Sequence, residues 1–454
     1  MANIDLCMAL YMKIIKPLLA LSFSLVSTGV LAWSNHTLVS HTLLSTLPEV
    51  RDAQPVKVET IESFLIANEQ KLESFLATQE TYMRANLWHY APRPDALAFK
   101  ATGDASTIRS RFTRAIRINP NMKLPLYLQL VPGEERDVPS IAAKDVTIFN
   151  DFAYLNDVQL VQLSEGDMVA PVDVATSAND EPDHGLDIGL FTDSKTDYGK
   201  EYGFGKQPFG NPNLEYGTQA PFHMGFYHES SVLYALGAFL KETYPEYRIT
   251  LFKQLAEFAF ENGHDYWGWR FIGWGMHYIA DFSNPYHITP VPGNSTLDTL
   301  YPGVLGLAGF PQAQKDATQL VSNRHTVLED FQSLVMSTAF INHDHDHQTI
   351  KALHAPESVR TYQDKDIIDI FAKDSYDKSE HINDVIDQTM PEKFVSDVTV
   401  EYSDLGVESQ LLEIVKKESG EEGVQSLLDS ISDLLSDFSG NGASYVNGIV
   451  KKED

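Results

Sequence analysis

Two histidine–carboxylate pairs stand four residues apart in this chain, His277 with Asp281 and His325 with Glu329. On a helix this spacing puts both side chains on one face, close enough to hold one metal ion or two adjacent ions. The chain has 15 histidines and 63 acidic residues among 454, which yields about two such pairs by chance. The spacing alone is therefore no more frequent than chance, and the hypothesis of a metal site depends on the surrounding sequence.

The segment WGWRFIGWGMHYIADFSNPYH (267–287) favours a metal site. It is apolar and aromatic, so an unpartnered Asp281 within it would be costly to desolvate. The Asn-Pro pair at 284–285 predicts the end of the helix and a turn that brings His287 back toward the same end. A helix, a turn and a third candidate ligand thus converge in one short stretch.

The core of this stretch, HYIADFSNPYH, resembles the His-x3-Asp-x3-Pro-x-His core of the zinc-dependent bacterial phospholipases C and the related single-strand-specific fungal nucleases. In that family the mature chain begins with tryptophan after a signal peptide. The other matching elements follow the family's order along the chain: Trp33, His41, Asp183, His223, His325 and Glu329.

The resemblance implies a helical enzyme that holds three zinc ions, with Asp183 and Asp281 as catalytic residues. It assigns to the first zinc the side chains of Asp183, His223, His277 and Asp281. It assigns to the second zinc the side chains of His287, His325 and Glu329. It assigns to the third zinc the α-amino group and carbonyl of Trp33, His41 and a bridging Asp281.

Three of these assignments have a competitor nearby in the sequence. Asp187 competes with Asp183, although Pro182 favours Asp183. The remaining competitors are His228 for His223 and His36 for His41. About forty residues separate Asp183 from His223, far more than in the family, so insertions are expected there.

The chemistry of such a centre is hydrolysis of a phosphodiester by in-line attack. Paired zinc ions can create a hydroxide at neutral pH, and a third can stabilise charge on phosphate oxygens. An α-amino group, with a pKa of about 8, loses its proton to a metal more easily than a lysine does.

The function expected is a secreted zinc phospholipase C that cleaves glycerophospholipids, such as phosphatidylcholine, to diacylglycerol and a phosphorylated headgroup. The alternatives are a single-strand-specific nuclease or nucleotidase of the same superfamily, and a non-catalytic periplasmic zinc-binding protein. Ser34 after the tryptophan, Glu329 and the Asn-Pro-Tyr-His sequence favour the phospholipase. His36 and His184 stand where phosphatidylcholine-cleaving members carry an acid and an aromatic residue, so the headgroup stays open.

Two other groups of residues could suggest a binding site, one for a metal ion and one for a quaternary ammonium group. The run HDHDH (343–347) is interpreted as a solvated polar turn rather than a metal site. The aromatic residues of the site segment could form a cage for a quaternary ammonium, but their helical spacing favours a place in the core: Tyr266, Trp267, Trp269 and Trp274.

The elements that must position these residues are predicted to be mainly helical. Apolar residues recur with helical spacing at 57–84, 229–262, 264–282, 312–339 and 421–438. Residues 91–222 are rich in Pro, Gly and Asp, with short β-leaning runs at 124–131 and 158–163, and predict a partly β and loop insertion. We expect a helical catalytic domain over 33–400 and an acidic helical tail over 401–454.

Composition indicates export. Residues 12–32 have two lysines, an apolar run and small residues before Trp33, the layout of a signal peptide too short for a membrane span, and 1–11 form an upstream extension. A secreted or periplasmic protein is expected, with no transmembrane segment. Cys7 is the one cysteine and precedes the expected cleavage site, so metal ligands must come from His, Asp, Glu or backbone groups. The net charge of −29 disfavours both a nucleic-acid duplex and a strongly anionic membrane as partners. A phospholipid at a membrane surface is the substrate expected, and no nucleic acid.

Overall fold

The computed structural model describes residues 35–150, 152–155, 158–210, 216–293 and 311–451. The predictions for Trp33, for the signal peptide and for the extension before it lie outside the described residues. Helix makes up 62% of the structure and strand 3%, which confirms the prediction of a mainly α protein.

The described residues form fifteen α-helices, α1 to α15. In chain order they are His36–Thr46, Pro48–Arg51, Ile61–Asn86, Ile108–Ala115, Pro171–Asn179, Asp197–Glu201, Ala220–His223, Ser231–Leu236, Pro245–Glu261, Asp265–Phe282, Pro311–Ile341, Gln348–Ala352, Lys373–Thr389, Glu392–Val395 and Leu411–Val450. Ten short 3₁₀ turns join them: Asp95–Leu97, Ala105–Thr107, Ala143–Asp145, Ala153–Leu155, Glu181–His184, Tyr216–Thr218, Ala238–Lys241, Pro285–His287, Tyr402–Leu405 and Glu408–Gln410. A π-helical turn over Ile367–Ala372 leads into α13.

Four short strands form two antiparallel pairs. They are β1 (Val56–Lys57), β2 (Tyr127–Gln129), β3 (Leu160–Gln162) and β4 (Met168–Val169). In one pair Val56 lies opposite Val169, and in the other Leu128 lies opposite Val161. Strands β2 and β3 fall within the two β-leaning runs of the sequence. The segment 91–222 also contains helices, and α5 within it packs against α1 and α10.

Helix α10 is the central element of the core. It packs against α9 and α5, and from Tyr266 to Phe282 all of its residues are buried. A helix with so many apolar and aromatic residues around its circumference is stable only when neighbours surround it. The helix ends at Phe282, and the Asn284 side chain accepts a hydrogen bond from the Tyr286 backbone in the turn that follows, as the Asn-Pro pair predicts.

The periodic stretch 229–262 is divided into two helices rather than forming one. Helix α8 ends at Leu236, a 3₁₀ turn follows, and α9 begins at Pro245. Proline has no amide hydrogen to donate to the carbonyl four residues earlier, so it cannot continue a helix. It is well suited to the first position, where that hydrogen bond is not made.

The residues set apart in the sequence as an acidic tail contribute to the main hydrophobic core. Helix α15 buries Leu427, Leu434 and Phe438 on one side, while its acidic residues lie on the other. It packs against α10, and a methyl group on Gly275 would overlap the hydroxyl of Tyr445. The absence of a side chain at Gly275 therefore lets the last helix approach the central one.

No helix among those described is both long enough and apolar enough to cross a bilayer.

Candidate metal centre

The candidate ligands come from six separate elements that meet at the carboxyl end of α10. Helix α10 supplies two of them, and the others come from the turns after α5 and α10, from α7, from α11 and from the first residue of α1. They are His277, Asp281, Asp183, His287, His223, His325, Glu329 and His36. All eight are buried, with exposed fractions of 4% or less.

The first ligand group consists of His223, His277 and Asp281. The Nδ1 atom of His223 lies 3.0 Å from Asp281 Oδ2 and 3.1 Å from His277 Nε2. His277 Nε2 lies 3.6 Å from the same carboxylate oxygen. Ligands bound tetrahedrally to zinc at about 2.1 Å are about 3.4 Å apart, so these three atoms have the spacing of one ion's ligands. Asp183, the fourth member of the predicted set, lies to one side of these three atoms. Its Oδ1 is 3.9 Å from His277 Nε2 and its Oδ2 is 3.5 Å from His36 Nδ1, so it groups with His36 and His277.

Asp281 faces two groups at once. Its Oδ2 atom belongs to the group just described, while its Oδ1 atom lies 3.2 Å from His36 Nε2. The His36 and His277 rings are 3.9 Å apart at their centres. A carboxylate with one oxygen toward each of two positions has the arrangement of a bridging ligand, the role that the resemblance implies for Asp281.

His41 does not join this cluster, and His36 stands in the place expected for it. The His41 ring lies 6.0 Å from that of Phe340, and the charged groups nearest to it are Glu134, Asp173 and Arg136. Five residues correspond to about 140° around an α-helix, so α1 directs the two histidines to different sides.

The other two alternatives are decided by contacts made elsewhere. Asp187 is held by Arg248 and Tyr278 behind His223, whereas Asp183 faces the ligands. His228 points away, with its Nε2 2.9 Å from the backbone oxygen of Ile368, whereas His223 lies in the centre. The structure therefore favours Asp183 and His223.

The second ligand group consists of His287, His325 and Glu329. The Nε2 atoms of the two histidines are 3.0 Å apart. Glu329 Oε1 lies 2.8 Å from His325 Nε2 and 3.5 Å from His287 Nε2. The amide of Asn284 donates a hydrogen bond of 2.7 Å to the same oxygen. The Asn-Pro turn thus brings His287 to the pair on α11 and also orients the carboxylate of that pair.

Backbone carbonyls fix the direction of two of the histidine rings. His277 Nδ1 lies 2.7 Å from the Asn179 oxygen, and His287 Nδ1 lies 2.9 Å from the His223 oxygen. A carbonyl oxygen only accepts, so each Nδ1 carries the hydrogen and each neutral ring presents a lone pair on Nε2 to the centre. Metal-binding histidines are held in this way.

The electrostatics of the centre favour positive charge. Burial lowers the pKa of His36, but hydrogen bonds with Asp180 and Asp281 outweigh it and raise the pKa to about 10. Burial likewise lowers the pKa of His223, and Asp281 and Asp187 raise it to about 10. Burial raises the pKa of Asp183 to about 7 against the opposing effect of His36. In the absence of a cation, protons on the histidines compensate the buried carboxylates.

Some buried atoms of the cluster make no well-aligned hydrogen bond within the described part of the chain. These atoms include His36 Nδ1 and Asp281 Oδ2. Buried polar atoms are rarely left in this state. A cation held by the first ligand group would satisfy Asp281 Oδ2, whereas His36 Nδ1 faces Asp180 and Asp183 at 3.6 and 3.5 Å. The donor set of imidazole nitrogens and carboxylate oxygens suits zinc, so the residues fit the metal that the resemblance implies.

Sequence reasoning did not identify the residues that support the ligands. Asp180 accepts a 2.6 Å hydrogen bond from the His36 backbone, and Gln219 donates one of 3.0 Å to Asp183. The neighbouring Glu181 pairs instead with Arg270 on α10, at 2.7 Å, and contacts no candidate ligand in the described part of the chain. The density of acids in NDEPDHGLD (179–187) was the one available signal, because so many carboxylates in a buried segment require partners.

The other candidate groups lie away from the centre. Residues 343–346 are exposed, and 347 is partly buried. The four aromatic residues considered for a cage are buried in the core, with Arg270 stacked 4.8 Å above the Trp267 ring. His184 is 1% exposed, and its Nδ1 lies 3.2 Å from the Tyr154 hydroxyl, so its ring is enclosed.

Comparisons of the chain with protein-family models, with curated proteins and with solved structures gave no match.

The two histidines of α1 provide a direct test of the geometry. We expect His36→Ala to lose metal and activity, because it removes the nitrogen next to Asp281. His41→Ala, five residues away on the same helix, should keep the metal content of the wild type. Zinc content measured on both purified variants checks this prediction, and loss of zinc in His41→Ala alone would reverse the assignment.

Proposed function

We propose that this chain is an exported zinc-dependent phosphodiesterase of the phospholipase C kind. The observation that carries the proposal is the convergence of eight buried His, Asp and Glu side chains from six elements. Seven of them are the residues singled out in the sequence by the resemblance, and the eighth, His36, was the alternative to His41.

Two ion positions are supported by the described residues. The first would be held by Asp183, His223, His277 and Asp281, and the second by His287, His325 and Glu329. The third would join His36 and Asp281 to the backbone groups of Trp33, three residues before His36. Zinc bound there supplies Lewis acidity toward a phosphoryl oxygen and lowers the pKa of a bound water.

The protein's own groups would orient the reaction. Asp281 holds the two sides of the centre at a fixed separation through its two oxygens. Asp183, buried beside His277, would be held deprotonated as a ligand of the first ion. The apolar shell of α10 around them excludes water, which strengthens their interactions with charge.

Burial of the ligands favours catalysis over zinc storage. His277 and His287 are each fixed by a backbone carbonyl, and all eight ligands converge in one place. A storage protein gains nothing from such orientation, whereas a catalytic centre needs it. The net charge of −29 also makes a long anionic polymer a poor substrate, which favours a phospholipid over a nucleic acid.

The test is hydrolysis by purified protein of three substrates: phosphatidylcholine vesicles, phosphatidylglycerol vesicles and single-stranded DNA. Each is assayed with and without a chelator, and then after zinc is returned. We expect release of diacylglycerol from a phospholipid, its loss with chelator and its recovery with zinc. Chelation should also lower the melting temperature, because the buried ligands are then left without their cations.

Cleavage of single-stranded DNA with inert vesicles would identify the nuclease alternative. Zinc binding with no hydrolysis of any substrate would leave the non-catalytic alternative and contradict the proposal.

A further inference from the structure

One short segment, residues 179–187, contacts three of the candidate histidine ligands, His36, His223 and His277, from outside the cluster. The Asn179 carbonyl orients His277, Asp180 holds the backbone of His36, and Asp183 is itself a candidate ligand. Its last residue, Asp187, lies on the far side of His223, with Oδ2 3.5 Å from His223 Nε2. The role of this last carboxylate is not explained by the ligand set.

Asp187 is fully buried and is surrounded by hydrogen-bond donors. Arg248 donates to Oδ1 from Nε at 2.9 Å and from Nη2 at 2.6 Å, and the hydroxyl of Tyr278 donates to Oδ2 at 2.6 Å. Arg248 is itself fixed by the carbonyls of Ile116 and Arg117. The Asp187 carboxylate therefore has a fixed position and accepts from each of these neighbours.

His223 lies between this carboxylate and the ligand group. Its Nε2 lies 3.5 Å from Asp187 Oδ2 without a well-aligned hydrogen bond within the described residues, and its Nδ1 lies 3.0 Å from Asp281 and 3.1 Å from His277. Only an acceptor stands behind Nε2, so that nitrogen keeps its hydrogen when a metal ion displaces the one on Nδ1. A carboxylate behind a ligand histidine fixes both the tautomer and the ring orientation.

We propose that Asp187 is a positioning residue, which holds His223 with its hydrogen on Nε2 so that Nδ1 binds the metal. This inference rests on the proposed zinc centre and extends it. It also makes His223 different from the other histidines of the centre, because His277 and His287 present Nε2 to it.

Replacement of Asp187 by Asn tests the proposal. The arrangement that keeps the amide oxygen toward Arg248 puts the NH₂ group in the place of Oδ2, against His223 and against the Tyr278 hydroxyl, which can turn to accept. The ring would then favour a hydrogen on Nδ1, which blocks the metal-binding nitrogen. An Asp→Asn change behind a catalytic histidine is known to impose the wrong tautomer in this way.

The matched control is Glu181→Gln. Glu181 is also buried in this segment and also pairs with a buried arginine, Arg270, at 2.7 Å, but it contacts no candidate ligand. Both variants remove one buried negative charge from an arginine. A loss of metal caused only by a broken ion pair would therefore appear in both.

The experiment measures zinc affinity by competition with a chelating dye, with folding followed by circular dichroism. Asp187→Asn should bind the weakest-held zinc about 10- to 100-fold less tightly than wild type, the usual effect of removing such a support, and Glu181→Gln should match the wild type. Equal weakening in both variants, or none in Asp187→Asn, would overturn the proposal. Wild-type protein that binds no zinc would instead refute the proposed function.

A second measurement does not depend on Asp187→Asn and applies if that variant does not fold. The ¹⁵N NMR spectrum of zinc-loaded, histidine-labelled wild type should contain an imidazole bound through Nδ1 with hydrogen on Nε2, and this signal should be lost in His223→Gln. A spectrum in which all zinc-bound imidazoles use Nε2 would contradict the proposal.

Discussion

Asp281→Asn is expected to reduce phosphodiester hydrolysis by at least about 100-fold, the scale seen when a group that stabilises charge at a reaction centre is removed. Its two oxygens face different partners, His36 Nε2 at 3.2 Å and His223 Nδ1 at 3.0 Å. An asparagine has one such oxygen, and its NH₂ group would face a ligand nitrogen on the other side. Initial rates on phospholipid vesicles at saturating zinc, with zinc content measured on the same sample, check the result.

The control for this prediction lies in the exposed run 343–347. His343→Ala and His345→Ala remove imidazoles of the same kind from residues outside the cluster, so activity should stay within about twofold of wild type, as is usual for surface substitutions. If these variants were inactive and Asp281→Asn retained activity, the cluster around α10 would not be the reaction centre.

Protein extended by Met-Ala before Trp33 is expected to fold and to lose most of its activity. Trp33 lies outside the described residues, but His36, three residues later, lies in the centre. One added residue displaces the chain's amino group by about 3.8 Å, which exceeds a zinc–nitrogen bond of about 2.1 Å. The nitrogen of Trp33 would also become an amide, which resists losing its proton.

Removal of the two added residues should restore activity, and Trp33→Phe with a free amino group should have a mild effect because the backbone supplies the ligands. Activity and zinc content of the three proteins, each with its N-terminus confirmed by mass spectrometry, check the prediction. Extended protein as active as the cleaved form would show that the amino group of Trp33 holds no metal.

The part of the centre that could be predicted from sequence is the part built by local structure. Helical spacing brings His277 to Asp281 and His325 to Glu329, and the Asn-Pro break explains the return of His287. These contacts depend on a few residues of chain, for which helix and turn geometry are reliable guides.

The ligands that sequence reasoning left open depend on contacts between distant parts of the chain. His36 and His41 are equally plausible on α1, and the choice is made by the carboxylates of Asp180 and Asp281, 144 and 245 residues away from His36. Asp187 is held on the far side of His223 by Arg248, 61 residues away. No local pattern contains this information.

Contacts between distant parts of the chain also explain why the packing of the last helix, α15, was not predicted. An acidic, amphipathic segment after residue 400 reads from sequence as a tail, because its apolar face has no partner in the neighbouring sequence. Its partners are α12, α13 and α10, with α1 at a closer point of approach. A methyl group on Gly442 would meet Leu43, and one on Gly275 would meet Tyr445. Glycine at these contacts permits a close approach that hydrophobic periodicity does not show.

The most direct test of the central claim is the metal content of active protein with Trp33 as its first residue, measured by elemental mass spectrometry after extensive dialysis against metal-free buffer. The account predicts zinc as the dominant metal, with three ions per chain in the wild type and about two in the form extended before Trp33, since the two groups held by the described side chains should remain. A wild-type protein that hydrolyses phospholipid with less than one zinc per chain would contradict it.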